Sequence, residues 1–124
     1  MAATYRKLGS LFVVEETITG AASNNGTMLI DISEGSDWNL GGRQLLKIIT
    51  VPGAAALAPS AYTIPTTDAL GKIVFTVAAR STTAVERWDA VTTLTLNEYI
   101  DCDWTMVLTG MGEAKTAFVR VLFK

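Results

Sequence analysis

The chain contains no histidine. That removes the side chain that titrates nearest neutral pH, and with it the usual general base, metal ligand and partner of a serine or cysteine nucleophile. Cysteine occurs once, at Cys102, so no disulfide closes within the chain and the fold suits a reducing compartment. Asp101 and Asp103 flank this thiol, and their charge opposes thiolate formation, which favours a small structural residue over a nucleophile. Charged residues make up 18% of the 124 residues and the formal net charge is −2, a low charge content for a soluble domain. Lys and Arg are dispersed, with Arg6-Lys7 the one adjacent pair, so the pattern of a nucleic-acid surface is missing. No apolar run approaches the roughly twenty residues that span a bilayer, and no secretory hydrophobic region adjoins the N-terminus. Neither a membrane span nor a cleaved signal is expected. Gly41-Gly42 and Gly110-x-Gly112 lack the strand-to-helix setting in which glycines cradle phosphate, so no cofactor is expected either.

What is present is β-forming sequence. Apolar residues reach 49% of the chain, enough for one core in a single domain over 1–124. The clearest stretch is Trp104 to Lys124, where two apolar runs, 104–109 and 116–123, flank the turn-like segment 110–115 and read as a β-hairpin. Its second arm alternates Ala117, Val119, Val121 and Phe123 with Phe118, Arg120 and Leu122. The first set is core, while the second is too apolar for ordinary solvent.

Further strands are expected at 10–19, where Glu15 and Glu16 break the alternation, at 27–32, and at 43–51, where Pro52-Gly53 stops the run. Ala61 to Ile64 before Pro65 reads as a short edge strand, because proline lacks the ladder N–H. The unbroken apolar face Ile73, Phe75, Val77 and Ala79 marks a central strand over 72–79. Residues 80–90 read as a short helix or protruding loop, and 91–96 as a strand with Leu94 and Leu96 inward. About eight strands with no long amphipathic helix indicate an all-β, single-domain antiparallel sandwich or jelly roll.

Two acidic groups invite chemistry. Asp31, Glu34 and Asp37 with Ser33 offer oxygen ligands to a hard cation, but Gly35 stands where the EF-hand spacing does not allow it and no glutamate closes the loop, so solvated loop acids are the better account. Asp101 and Asp103 with Glu98 resemble a glycosidase acid pair only in composition. No catalytic or metal site is assigned, and the chain is read as non-enzymatic. Trp38 and Trp88 lie in polar segments and suit an interface, stacking on sugars, or equally a loop folded down over the sandwich.

The opening Met1-Ala-Ala-Thr-Tyr-Arg-Lys-Leu-Gly9, the Ala/Thr/Gly-rich strands, the lack of His and disulfides, and the ending Phe118-Val119-Arg120-Val121-Leu122-Phe123 together resemble the small virion structural proteins of tailed bacteriophages, of head decoration or cement type. The resemblance implies a β-rich subunit, often a homo-oligomer and for instance a trimer, that is assembled in host cytoplasm and binds the capsid lattice. On that reading Phe118, Arg120 and Leu122, with Trp88 and Trp38, meet capsid or other virion proteins. The alternative is a carbohydrate-binding β-sandwich module with Trp38 and Trp88 as stacking platforms.

Overall fold

A computed structural model describes residues 3–33, 39–79 and 83–124. The chain is an all-β antiparallel sandwich, and its described residues form ten strands and one short 3-10 turn at Ala55–Leu57. In order these are β1 (Thr4–Leu8), β2 (Leu11–Thr19), β3 (Gly26–Ile30), β4 (Arg43–Pro52), β5 (Tyr62–Asp68), β6 (Ile73–Ala79), β7 (Glu86–Asp89), β8 (Tyr99–Ile100), β9 (Trp104–Leu108) and β10 (Thr116–Phe123). The larger sheet runs β1-β2-β10-β4-β7, with β8 also paired to β4, and the smaller runs β3-β9-β5-β6.

Strict alternation explains which residues the sandwich buries. On β10, Ala117, Val119, Val121 and Phe123 are fully buried, and on β9 so are Trp104, Met106 and Leu108. Trp104 is 1% exposed and holds Phe75 edge-on at 5.8 Å and Phe123 at 5.7 Å, so it joins the two sheets as one aromatic contact. Burying an indole of this size contributes about 3–5 kcal/mol, judged by what truncating such side chains costs.

The expected hairpin from Trp104 to Lys124 does not form. β9 pairs with β3 and β5, whereas β10 pairs with β2 and β4. Each run is apolar enough to need neighbours on both sides, and the 109–115 connection therefore arches from one sheet to the other. Positive φ at Gly110, Gly112 and Ala114 turns that arch, and it is held by hydrogen bonds from Ala114 N–H to the Gly20 carbonyl and from Gly20 N–H to the Lys115 carbonyl.

Several local expectations change for identifiable reasons. β5 continues through Pro65 and lies inside its sheet, because the β5–β9 ladder is interrupted between the Thr63–Thr109 bridge and the Thr66–Met106 pair, where the missing proline N–H is not needed. β6 is an edge strand, not a central one. A register shift between Thr66 and Thr67 leaves Val74 as an extra residue, which turns Ile73 outward to 67% exposure and breaks its face. A second shift, between Leu122 and Phe123, makes Leu46 the extra residue on β4. Leu45 and Ile48 therefore face the core while Ile49 and Val51 face out.

Residues 86–89 form a strand instead of a helix or loop, with 80–82 outside the described residues. Residues 91–96 are a turn and bend followed by irregular chain, not a strand. The Asp89 carboxylate accepts the Thr92 N–H, and its carbonyl accepts those of Thr93 and Leu94. Leu94 and Leu96 still pack on the core. β1, polar in sequence, pairs with β2 across a turn in which Gly9 takes φ 58°. Its Tyr5 hydroxyl donates to the Leu29 carbonyl and accepts the Asp31 N–H at 2.7 Å, tying the larger sheet to the smaller.

Candidate functional site

The outward face of the larger sheet holds three of the expected interface residues. Register places Phe118, Arg120 and Leu122 of β10 there, beside Val13, Glu15 and Thr17 of β2 and Lys47, Ile49 and Val51 of β4. Arg6 of β1 and Arg87 of β7 extend the face to both sides. Phe118, Leu122, Ile49 and Val51 remain partly exposed. Val13 is fully buried without belonging to the core between the sheets, flanked in register by Arg6 and Leu122.

Glu15 is the electrostatic centre of this face. Arg6 Nε donates to its Oε1 at 3.0 Å and Arg120 Nε to its Oε2 at 2.6 Å, the second bond coming from 105 residues away in the chain. Burial pushes the Glu15 carboxyl upward, but the hydrogen bonds and charges of Arg6 and Arg120 outweigh burial and hold it below the ordinary glutamate value. The pinned Arg120 guanidinium also stands over the Phe118 ring, 5.5 Å from its centroid. Charge pairing and ring contact thus fix both side chains in place before any ligand arrives. Asp89, at the β7 edge, is lowered by the Thr92 hydrogen bonds first and by the Lys47 charge last.

A second part of the same face lies toward β8. Gln44 pairs with Tyr99, which is 52% exposed, and the Gln44 side-chain amide donates to Asn97 Oδ1 at 2.8 Å. An exposed aromatic ring beside oriented amides is suited to a ligand with apolar C–H faces and hydroxyl groups.

The other sequence candidates are placed differently. Trp88 pairs with Ile48, faces inward and is partly buried against the core, away from the outward face that carries Phe118. Trp38, Glu34 and Asp37 lie outside the described residues. Asp31 accepts the Ser33 N–H and hydroxyl, which lowers its pKa, and Asp103 accepts the Ile32 N–H at 3.0 Å. Both carboxylates brace turns. A bend at Cys102 breaks the extended geometry that would set Asp101 and Asp103 on one face. At Cys102 a backbone hydrogen bond from Ala69 favours the thiolate, but burial and the carboxylates of Asp101 and Asp68 together push the thiol up. Among the described residues no group of His, Cys, Asp and Glu has the arrangement of a metal site. Of the two shallow depressions described, one of about 290 Å³ has Glu16 as its single carboxylate and the other, about 200 Å³, has none.

The sequence puts Phe118, Arg120 and Leu122 on one face of their strand, as the register does, but does not connect Glu15, Ile49, Val51 or Tyr99 with them. The broken alternation at Glu15-Glu16 was the available signal: one carboxylate points out to the arginines and the other points in. The remaining three depend on pairings between distant strands, or on the bulge at Leu46.

No family model matches the sequence, and no curated protein is significantly similar to it. Among solved structures, the chain is similar to a CBM4 structure, a carbohydrate-binding module, at 9% identity and TM-score 0.40, covering 98% of this chain and 78% of that one. It is also similar to an agarase at 7% identity and TM-score 0.42, where it spans 22% of the longer protein. Among the described residues no helix is long and apolar enough to cross a membrane.

Proposed function

We propose that this chain is a non-catalytic β-sandwich binding module that docks a carbohydrate polymer on the outward face of its larger sheet. The observation that carries the reading is the joint presence, on one rigid sheet face, of partly exposed rings and fixed donors. Phe118 lies under a pinned guanidinium, and Tyr99 lies beside the Gln44–Asn97 amides. Rings stack on the C–H faces of sugars while amide and guanidinium N–H groups reach hydroxyl oxygens, a pairing that strands hold more steadily than loops do. Phe118 and Tyr99 take the stacking role that the sequence had given to Trp38 and Trp88.

Affinity electrophoresis in gels cast with individual polysaccharides tests this. Retardation by at least one glycan is expected, with Tyr99→Ala and Phe118→Ala each weakening it about tenfold, the scale of one interface anchor. Equal mobility in every gel removes the reading.

A second reading, assembly as a virion subunit of head decoration type, is favoured by the aliphatic side chains of Val13, Leu122, Ile49 and Val51 in the middle of the same face. Such a stripe suits burial against a neighbouring chain. Sedimentation at micromolar concentration separates the two readings. An oligomer that Ile49→Lys returns to monomer supports assembly, and a stable wild-type monomer counts against it.

A further inference from the structure

Resting on the carbohydrate reading above, we propose that the polymer bound on the larger sheet is polyanionic, a uronate or sulfated polysaccharide, with Arg87 and Lys47 as the residues that contact its anionic groups.

The argument is one of charge placed by register. Over the whole chain acidic residues outnumber basic ones, 12 to 10. On this face the balance is inverted. Arg6, Lys47, Arg87 and Arg120 point outward against the carboxylates of Glu15 and Asp89 alone. Both carboxylates are already engaged, Glu15 by two arginines and Asp89 by the backbone of its own turn. Arg87 is exposed and makes no ion pair among the described residues.

The cations are spread across the strands, not stacked along one. From Arg6 on β1 to Arg87 on β7 there are four strand spacings of about 4.8 Å each, which places positive charge across roughly 19 Å of sheet. An extended polymer with regularly spaced anions matches that layout, whereas a single small anion would engage one end of it. The apolar side chains between the cations, Ile49 and Leu122, lower the local polarity and strengthen each charge contact.

The smaller sheet supplies an internal contrast. Its outward positions Thr27, Leu29, Thr63, Pro65, Thr67, Ile73, Thr76, Thr105 and Val107 carry no charge. The basic character therefore belongs to one face and not to the surface as a whole.

The test uses the intact chain in gels containing alginate, a carrageenan or a neutral β-glucan, with single-stranded DNA as a fourth arm. Alginate and carrageenan distinguish carboxylate from sulfate as the preferred anion. Retardation is expected in at least one of these two, falling steeply between about 50 and 200 mM salt as neutralised counterions are no longer released. The double variant Lys47→Ala/Arg87→Ala is expected to lose about tenfold or more in affinity, two charge contacts being removed. Salt-independent binding to the neutral glucan alone overturns this inference and leaves the carbohydrate reading standing. Mobility unchanged in all four arms removes both, and tighter retention by DNA than by either acidic polysaccharide overturns the choice of polymer.

Discussion

Two adjacent glutamates show how much a single alternation decides. Glu15 points outward, where Arg6 and Arg120 hold its pKa down, and Glu16 points inward opposite Val119, where burial pushes its pKa up against a weaker lowering by the N-terminal charge. The consequences for stability have opposite signs. Glu15 stabilises the fold above its ordinary pKa, and that contribution fades as pH falls through the depressed folded value. Glu16 contributes fully below its ordinary pKa of 4.5, and its contribution is lost as pH rises through the raised folded value. Glu16→Gln is therefore expected to raise the urea midpoint at pH 7 and to change it little near pH 3. Glu15→Gln is expected to lower the midpoint at pH 7, with the difference shrinking in acid. Urea titrations at both pH values check the two signs, and parallel shifts for the two variants would contradict the assignment of faces.

Among the elements, the arch between β9 and β10 carries the most topology in the fewest residues. It passes so close to the end of β2 that a Cβ on Gly20 would stand 1.8 Å from the Gly112 carbonyl oxygen, a backbone atom that no rotamer change can move. Gly20→Ala is expected to cost more than about 3 kcal/mol, beyond the usual range for a point substitution, because two strands must separate to accept it. Gly9→Ala makes a useful control. Its added methyl meets nothing within 4 Å, and only the positive φ opposes it, so about 1–2 kcal/mol is expected. Thermal unfolding of the two variants separates steric from conformational cost, and equal losses would contradict the close approach at Gly20. The two bulges are comparable devices on a smaller scale. One extra residue at Leu46 and one at Val74 reassign side chains between faces, and the outward apolar stripe at Ile49 and Val51 exists because of the first.

At the scale of the molecule, one hydrophobic cluster draws on both sheets, with Trp104 in the smaller and Phe123 in the larger touching across the interior. The sheets have no separate cores, so they are expected to unfold together. Tryptophan fluorescence and far-UV circular dichroism should give coincident urea transitions, as a two-state domain of this size does. A fluorescence transition that precedes the loss of β signal would show the sheets parting first. The outer surfaces of the two sheets differ more than their cores do. One is basic and apolar around a half-buried carboxylate, and the other is neutral and rich in threonine.

Much of this was legible in the residues alone. β-forming composition at 10–19 and 43–51 and alternation at 72–79 and 116–123 identify strands, and the scarcity of helix-forming segments identifies the sandwich, because side-chain period and β-propensity are local properties of the chain. The partners of each strand were not legible. The turn residues of 110–115 serve an arch between sheets as well as a hairpin, and nothing local distinguishes them. Charge behaved the same way: Arg6, Glu15, Lys47, Arg87 and Arg120 are scattered through the sequence and look like ordinary solvated residues. Register between distant strands brings them onto one face, and that register is set by burying both sheets at once, a condition only the tertiary structure can satisfy.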